Sequence, residues 1–228
     1  MMDMFFKYAG IVLAFIGTVL GLGILAIYDV VFPLYSQHLQ NFMWLLFVVV
    51  FALYGLICGQ LIHRYYNLAH RDHLTNLWNR RYFYAKLGAE VSRLKRTNLP
   101  LCMALIDIDD FKSINDVHGH FAGDEVLREV AVILTNSTRA VDTVVRLGGD
   151  EFAIILSDTD IEAASAVAER VRGVIASSSN CHQTTISVGV LLIQAEMEVE
   201  VDQIIKLVDE TLYKAKSTKN LVVSTVQS

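Results

Sequence analysis

The sequence predicts an α+β fold in which a mainly antiparallel sheet is flanked by helices and preceded by a hairpin of two transmembrane helices. Two apolar runs of 21 residues each, 8–28 and 42–62, predict the membrane hairpin. Two β-rich runs joined around Gly148 and Gly149 predict a β-hairpin, because glycine adopts the positive φ that tight turns require. Amphipathic helical segments lie between this pair and the other strand-like runs, which is typical of helices packed on a sheet.

The first predicted element is the transmembrane hairpin, residues 1–62. From residue 8 to residue 62 the only Asp, Glu, Lys or Arg is Asp29, and 21 helical residues span roughly 30 Å, the thickness of a bilayer core. Lys7 precedes the first run and Arg64 follows the second, whereas the short loop between them has no Lys or Arg. We therefore expect both termini on the cytoplasmic side. The alternative is that the first run is a cleaved signal peptide, although its apolar stretch is longer than usual.

The following elements form the soluble part, which we divide into a helical connector over residues 63–75 and a domain over residues 76–228. Helical spacing of apolar residues and short β-rich runs predict the elements of the domain in this order: a helix at 79–97, a strand at 101–108, helices at 110–117 and 122–138, strands at 143–147 and 151–156, a helix at 161–177, a strand at 184–193, a helix at 201–217 and a strand at 221–226.

Charge and cysteine content exclude several classes of function for this soluble part. Without residues 1–62 the chain has 18 basic and 22 acidic side chains, a mildly acidic balance that argues against a nucleic-acid polymer as partner. The three cysteines, Cys58, Cys102 and Cys181, include no CxxC pair, which makes a disulfide framework or a zinc site improbable.

Acidic residues lie at the ends of two predicted strands, at the last residues of one and the first residues of the other. Asp107 lies where a buried strand leaves the core, in L-I-D-I-D-D-F-K, and Asp150 and Glu151 lie at the hairpin, in G-G-D-E-F. If these strands are neighbours, the carboxylates converge on one edge of the sheet. Carboxylates together with water and substrate phosphates are the ligands that Mg²⁺ prefers, and two such ions can assist a phosphoryl displacement.

Six motifs in order resemble the GGDEF family of diguanylate cyclases over residues 71–226. They are R-D-H-L-T-N-L-W-N-R-R at 71–81, D-I-D-D-F-K-S-I-N-D at 107–116, H-G-H-F-A-G-D-E-V-L at 118–127, R-L-G-G-D-E-F at 146–152, T-I-S-V-G-V at 185–190 and D-E-T-L-Y-K-A-K at 209–216. The resemblance implies a fold like the palm of nucleotide polymerases and the condensation of two GTP into cyclic di-GMP with release of two pyrophosphates. It also implies a homodimer, here with its cyclase domain on the cytoplasmic side of the inner (plasma) membrane.

The resemblance implies the catalytic and metal-binding residues. Asp107, Asp150 and the backbone carbonyl of Ile108 would hold Mg²⁺, with Mn²⁺ as a possible substitute, and Glu151 would lie nearby. Asp150 would also accept the proton of the 3′-hydroxyl nucleophile. Lys112 would stabilise phosphate charge in the transition state.

The resemblance likewise implies the substrate contacts. Asn115 and Asp124 match guanine-reading positions, and a carboxylate is a suitable acceptor for the N1–H and N2 amine of guanine. His120 matches another substrate contact and Lys216 a phosphate contact. Lys219 stands near the position of the family's usual arginine, because A-K-S-T-K-N replaces A-K-x-x-G-R-N. Taken alone, Asn115 and Asp124 would be interpreted as helix caps, and His120 as part of a polar surface turn.

A second binding site is implied by Arg139 and Asp142, which have the family's RxxD spacing before G-G-D-E-F, and by Arg170. The resemblance assigns these three residues to inhibition by cyclic di-GMP, and the simpler alternative is a surface ion pair between Arg139 and Asp142. For the whole chain the alternative function is a catalytically weak or inactive GGDEF domain that acts as a GTP or cyclic di-GMP receptor.

Overall fold

A computed structural model of the chain describes residues 11–12, 15–24, 26–27, 37–195 and 200–226. The chain divides into two compact units, Met1–Ala69 and His70–Ser228. The sequence prediction placed the start of the catalytic domain at residue 76, six residues later than the start of the second unit.

The first unit contains helix α1 (Phe15–Ile24) and most of helix α2 (Gln37–His70). The two helices approach closely, because a Cβ added to Gly17 would lie 3.3 Å from the carbonyl oxygen of Phe51. Among the described residues, α2 is the one helix that is long and apolar enough to cross a membrane, judged by length and composition. The predicted first span, 8–28, lies partly outside the described residues; those of its residues that the structure describes, 11–12, 15–24 and 26–27, are helical.

Helix α2 extends beyond the predicted second span on both sides. Its 34 residues correspond to about 51 Å, so the predicted connector is helical as a continuation of α2 as far as His70. Beyond His70 the prediction of a helix to residue 75 is wrong. The carboxylate of Asp72 accepts hydrogen bonds from the backbone N and the hydroxyl of Thr75, at 2.9 and 2.7 Å, and this local turn replaces the next helical turn.

The second unit is built on a six-stranded sheet with the order β1-β3-β4-β2-β5-β6. The strands are β1 (Trp78–Asn79), β2 (Leu101–Ile108), β3 (Thr143–Gly148), β4 (Glu151–Ser157), β5 (Ile186–Ile193) and β6 (Val222–Val226). The four central strands pair antiparallel, which confirms the sequence prediction. Both outer strands pair parallel to their neighbours, so the complete sheet is mixed.

Five helices accompany the sheet: α3 (Arg80–Thr97), α4 (Phe111–His118), α5 (His120–Asn136), α6 (Ile161–Ser177) and α7 (Val201–Lys216). Alternate residues of β2 point to opposite faces, so Met103 packs with α3 and α7 while Ala104 packs with α5 and α6. Every residue of both apolar clusters, with the partly buried residues packed on them, lies between Leu74 and Val222. The second unit therefore contains the complete core that it needs to fold by itself.

Gly189 in β5 allows α7 to lie directly on the sheet. A Cβ at this position would collide with the backbone of Thr211 and Leu212 in α7. Because the backbones touch here, the C-terminal end of α7 is held above the end of β2 where the acidic residues begin.

Candidate active site

The structure brings together the three carboxylates that the sequence predicted to converge. Asp107 is paired with Glu151 across strands β2 and β4. The backbone N of Ile108 donates a hydrogen bond to the carbonyl of Asp150 at 3.3 Å. The end of β2 and the start of β4 thus form one acidic edge of the sheet, made of residues that are 43 and 44 positions apart in the chain.

Lys216 supplies positive charge to this edge. Its Nζ lies 2.8 Å from Oδ2 of Asp107, whose side chain is only 7% exposed. Burial raises the pKa of Asp107, and the charges of Asp150 and Glu151 raise it further, against the opposing effect of Lys216. Partial burial lowers the pKa of Lys216, but its hydrogen bond to Asp107 and the negative charges around it leave this pKa raised overall.

The turn between β3 and β4 is fixed by two glycines and one arginine. Gly148 and Gly149 have φ of +147° and +55°, which glycine adopts without strain. Arg146 donates from Nε and Nη2 to the carbonyl of Gly149, at 3.1 and 2.8 Å, and from Nη1 to Asp72 at 2.9 Å. Burial tends to raise the pKa of Asp72, but the hydrogen bonds from Thr75 and Arg146 lower it overall. The sequence analysis did not identify this contact between the hairpin and the start of the domain.

Asp109 is buried like Asp107, and the sequence did not predict a role for it. Its Oδ1 accepts a hydrogen bond from the hydroxyl of Ser187 at 2.7 Å, and its Oδ2 accepts from the hydroxyl of Thr185 at 2.6 Å and the backbone N of Asn220 at 2.9 Å. These bonds join the end of β2 to β5 and to the segment after α7. Because both oxygens are already occupied, Asp109 positions the neighbouring acids rather than being free to hold a metal. The only sequence signals for this role were the position of Asp109 in D-I-D-D and the hydroxyl residues of the distant T-I-S motif at 185–187.

Asn115 and Asp124 lie on adjacent helices, at the join of α4 and α5. Gly119, with φ of +84°, makes the turn between the helices. A Cβ at Gly123 would collide with the side-chain amide of Asn115, which therefore lies against α5 next to Asp124. Within the described residues neither side chain makes a hydrogen bond, so the interpretation of both as helix caps is wrong. An amide and a carboxylate without hydrogen-bond partners in the described residues are suited to binding the polar edge of a ligand.

The remaining candidate substrate residues lie at the rim of the site. Lys112 and His120 are exposed on α4 and α5. Lys219, just beyond α7, binds both carboxylate oxygens of Asp110 at 2.7 and 2.8 Å. Asp110 is the residue before α4. Lys216 at the end of α7 and Lys219 just beyond it therefore bind Asp107 near the end of β2 and Asp110 shortly after it.

Of the three residues of the candidate inhibitory site, Arg139 and Asp142 lie in the turn between α5 and β3, and Arg170 lies on α6. One oxygen of Asp142 accepts from the backbone N of Arg139 at 2.8 Å, and the other is buried without a hydrogen-bond partner. Burial raises the pKa of Asp142. Arg170 donates to the carbonyl of Ser137 at 2.7 Å. In the described residues Arg139 and Asp142 form no side-chain ion pair, so the simpler alternative from the sequence is wrong.

The donor set is suited to a hard divalent cation bound together with substrate. Within the described part of the chain no three His, Cys, Asp or Glu side chains are arranged to hold a metal by themselves. The acidic edge offers carboxylates at Asp107 and at the start of β4. Mg²⁺ characteristically binds one or two carboxylates and completes its shell with water and substrate phosphates, so the residues present fit it.

Comparisons with known proteins agree with this geometry. The family model described as "Diguanylate cyclase, GGDEF domain" matches residues 69–221. The probable diguanylate cyclase DgcT of Escherichia coli K12 is 39% identical over 165 residues, which are 69% of this chain and 36% of that protein. The response regulator PleD of Caulobacter vibrioides is 41% identical over 164 residues, which are 68% of this chain and 36% of PleD. This chain therefore spans about a third of the length of these curated relatives.

Solved structures show the same fold. The coiled coil and GGDEF domain of DgcB from Caulobacter crescentus, in complex with c-di-GMP, has a TM-score of 0.68 at 26% identity, with coverage of 73% of this chain and 91% of that chain. The active GGEEF domain of a diguanylate cyclase from Vibrio cholerae has a TM-score of 0.62 at 34% identity, with coverage of 66% and 98%.

Proposed function

This chain belongs to the GGDEF family of diguanylate cyclases, and from that premise we propose that its second unit condenses two GTP molecules into cyclic di-GMP. The observation that carries the proposal is the convergence of Asp107 and Glu151 on one sheet edge, beside Asp150 and below Lys216. Each member of this group has a task in phosphoryl transfer.

Asp107, Asp150 and the carbonyl of Ile108 would hold Mg²⁺ or Mn²⁺, with Glu151 beside them. When bound, the ion supplies Lewis-acid polarisation of the α-phosphate and a lower pKa for the attacking hydroxyl. The raised pKa of Asp107 supports this assignment, because it reflects a buried, crowded carboxylate that a positive charge stabilises.

Guanine is bound between α4 and α5. The carboxylate of Asp124 accepts hydrogen bonds from N1–H and the N2 amine, and the side-chain amide of Asn115 contacts another part of the base edge. His120 makes a further substrate contact. Adenine has no N1–H donor, so a carboxylate at this position favours guanine.

The phosphates are bound by Lys112, Lys216 and Lys219. Without substrate the two C-terminal lysines are bound to Asp107 and Asp110, which keeps them close to the acidic edge. When triphosphate and cation bind, we expect Lys216 to exchange Asp107 for phosphate oxygens. A lysine at position 219 acts as a point charge, without the bidentate geometry of arginine.

The reaction requires two domains that face each other in a homodimer. The 3′-oxygen of each GTP attacks the α-phosphorus of the other, so that one 3′-O–P bond forms as one bond to pyrophosphate breaks. Asp150 accepts the proton of the attacking hydroxyl. Two such steps release two pyrophosphates and close the ring.

Membrane anchoring promotes this encounter. Residues 1–62 form a transmembrane hairpin in the inner (plasma) membrane, with both termini and the cyclase domain cytoplasmic. Confinement to one membrane raises the effective concentration of the second domain. The apolar character of α2 supports the anchoring. Separation of membranes from soluble protein by centrifugation tests it, and recovery of the full chain in the soluble fraction would refute it.

Arg139, Asp142 and Arg170 bind cyclic di-GMP as an inhibitor. The side chain of Arg139 is exposed. The guanidinium of Arg170 donates a hydrogen bond to the carbonyl of Ser137, which lies two residues before Arg139 in the sequence. Guanidinium groups that lie close together suit phosphate and guanine acceptors. Asp142 fixes the turn that carries Arg139, because it accepts a hydrogen bond from the backbone N of Arg139 at 2.8 Å.

The test of catalysis is incubation of the purified full chain in detergent with GTP and Mg²⁺, with nucleotide products identified by chromatography and mass spectrometry. We expect cyclic di-GMP, and a loss of at least about 100-fold in Asp107→Asn and Asp150→Asn. Glu162→Gln, at an exposed acid on α6, is the matched control and retains activity. GTP or cyclic di-GMP binding without turnover in an artificially dimerised chain would instead identify a receptor.

A further inference from the structure

Basic and acidic side chains are unevenly distributed along the chain. Residues 63–97 have eight Lys or Arg and two Asp or Glu, a net charge of +6. Residues 98–228 have ten basic and twenty acidic side chains, a net charge of −10. A protein of net charge −5 therefore has one strongly positive segment, and most of that segment is helix α3.

The positive charge of α3 lies on its outer side. The helix buries Phe83, Leu87, Val91 and Leu94 against the sheet, which leaves the opposite side in solvent. Arg81, Lys95 and Arg96 are exposed on that side, and within the described residues they form no ion pair. We call these three residues the basic face of α3. Lys86 and Arg93 lie elsewhere on the helix, where they bind Glu90.

Small residues separate the charges of the basic face. Ala85, Gly88 and Ser92 lie between Arg81 and Lys95 along the outer side. Lys95 borders a groove that is also lined by Tyr84 and by Glu200 and Asp202 at the start of α7, whereas Arg81 and Arg96 lie outside this groove. Arg81 and Arg96 are 15 residues apart, about 22 Å along the helix. This length is enough to contact several headgroups of a planar anionic surface at once.

We propose that the basic face of α3 binds anionic phospholipid headgroups of the membrane in which α2 is anchored. Ten residues lie between His70, the end of α2, and Arg81, so the face follows closely after the apolar helix in the sequence. Clusters of Lys and Arg immediately after a membrane segment are attracted by the negative potential of the cytoplasmic leaflet. Helix α7, which packs on the same side of the sheet, has the acids Asp202, Asp209 and Glu210, which the same surface repels. Because α3 is basic and α7 has these acids, we expect the domain to contact the anionic membrane surface through α3.

This inference goes beyond catalysis and rests on the proposed membrane anchoring. It is tested with the fragment His70–Ser228, which contains both apolar clusters and lacks α2 up to Ala69. The fragment is sedimented with vesicles of phosphatidylcholine alone and with vesicles in which about a third of the lipid is phosphatidylglycerol, at about 0.05 M and about 0.5 M salt. We expect binding to the anionic vesicles only, and its loss at high salt.

Two double variants with equal loss of charge locate the surface. Arg81→Gln with Arg96→Gln lowers the partition onto anionic vesicles roughly 30-fold. Each cation near the surface contributes about 1 kcal/mol, and about 1.4 kcal/mol corresponds to a tenfold change in partition. Lys206→Gln with Lys214→Gln, two basic residues of α7, leaves the partition unchanged. Circular dichroism confirms that both variants fold.

Three outcomes would overturn the proposal: no binding to anionic vesicles at low salt, equal binding to neutral vesicles, or the same reduction in both double variants. The assay contains no GTP, and cyclic di-GMP formation by the same fragment, artificially dimerised, is measured separately. A failure of lipid binding is therefore distinguishable from a failure of the proposed activity.

Discussion

The contact between Lys216 and Asp107 gives the most direct test of the acidic edge. Replacement of Lys216 by methionine retains most of the side-chain volume and removes the ammonium that lies 2.8 Å from a carboxylate with 7% exposure. A fully buried pair that loses one partner is destabilised by about 3–5 kcal/mol, whereas exposed pairs contribute about 0–1 kcal/mol. Lys216 is 45% exposed, so we expect an intermediate loss of about 1–2 kcal/mol at neutral pH.

The loss depends on pH in a definite direction. The pKa of Asp107 is raised in the folded chain, so the folded state binds this proton more tightly than the unfolded state does. Stability therefore falls as the pH rises from the unfolded pKa through the folded pKa. Without Lys216 the folded pKa is higher still, and this fall is larger. At acidic pH the carboxyl is neutral in both proteins, and the difference between them decreases.

Thermal and urea unfolding of His70–Ser228, followed by circular dichroism at about pH 7.5 and about pH 4.5, measures both effects. A loss of 1–2 kcal/mol corresponds to a fall in Tm of about 2–8 °C for a domain of this size. Lys214→Met, at an exposed lysine of the same helix, is the control and has little effect at either pH. Equal unfolding of the two variants at pH 7.5, or a difference that does not change with pH, would refute the reasoning.

Three further predictions test the packing, the guanine site and the inhibitory site. Gly189→Ala destabilises the fragment by about 2–3 kcal/mol in urea, because its Cβ collides with the backbone of α7, whereas Gly173→Ala, with open space in α6, is neutral or stabilising. Asn115→Ala weakens GTP binding about tenfold by calorimetry without changing stability, and unchanged affinity would contradict the proposed guanine contact. Arg170→Ala raises the cyclic di-GMP concentration needed for half inhibition at least about tenfold, while Arg128→Ala, an exposed arginine of α5, does not.

Much of the fold was predictable because its pattern is local. All eight residues of β2 are buried, and a continuous apolar run that ends in acids indicates such a strand. The hairpin around Gly148 was predictable from turn chemistry. Strand β1 was not, because two residues are too few for an alternating pattern, and its pairing with β3 is long-range. The end of α2 was misjudged because Asp72 stops the helix through its side chain, which hydropathy does not reveal.

The residues of the candidate site also divide into those with a local sequence signal and those whose partners are distant in the sequence. Residues in contiguous motifs, such as Asp107 and Glu151, were identified from the sequence, and their pairing follows from neighbouring antiparallel strands. The partners of Asp109 lie 76 to 111 positions away, so no local pattern could assign its role. The salt bridge of Arg146 to Asp72 spans 74 positions and was missed for the same reason.

That salt bridge decides where the chain can be shortened. A truncated protein beginning at residue 76 would retain every acid of the catalytic edge, yet it would lose Asp72. The side chain of Arg146, which is only 10% exposed, would then remain mostly buried without its carboxylate, and the glycine turn would lose its attachment to the start of the domain. Low activity in such a truncation would report a loosened turn rather than a missing membrane anchor. Comparisons between soluble and full-length forms should therefore begin upstream of Asp72.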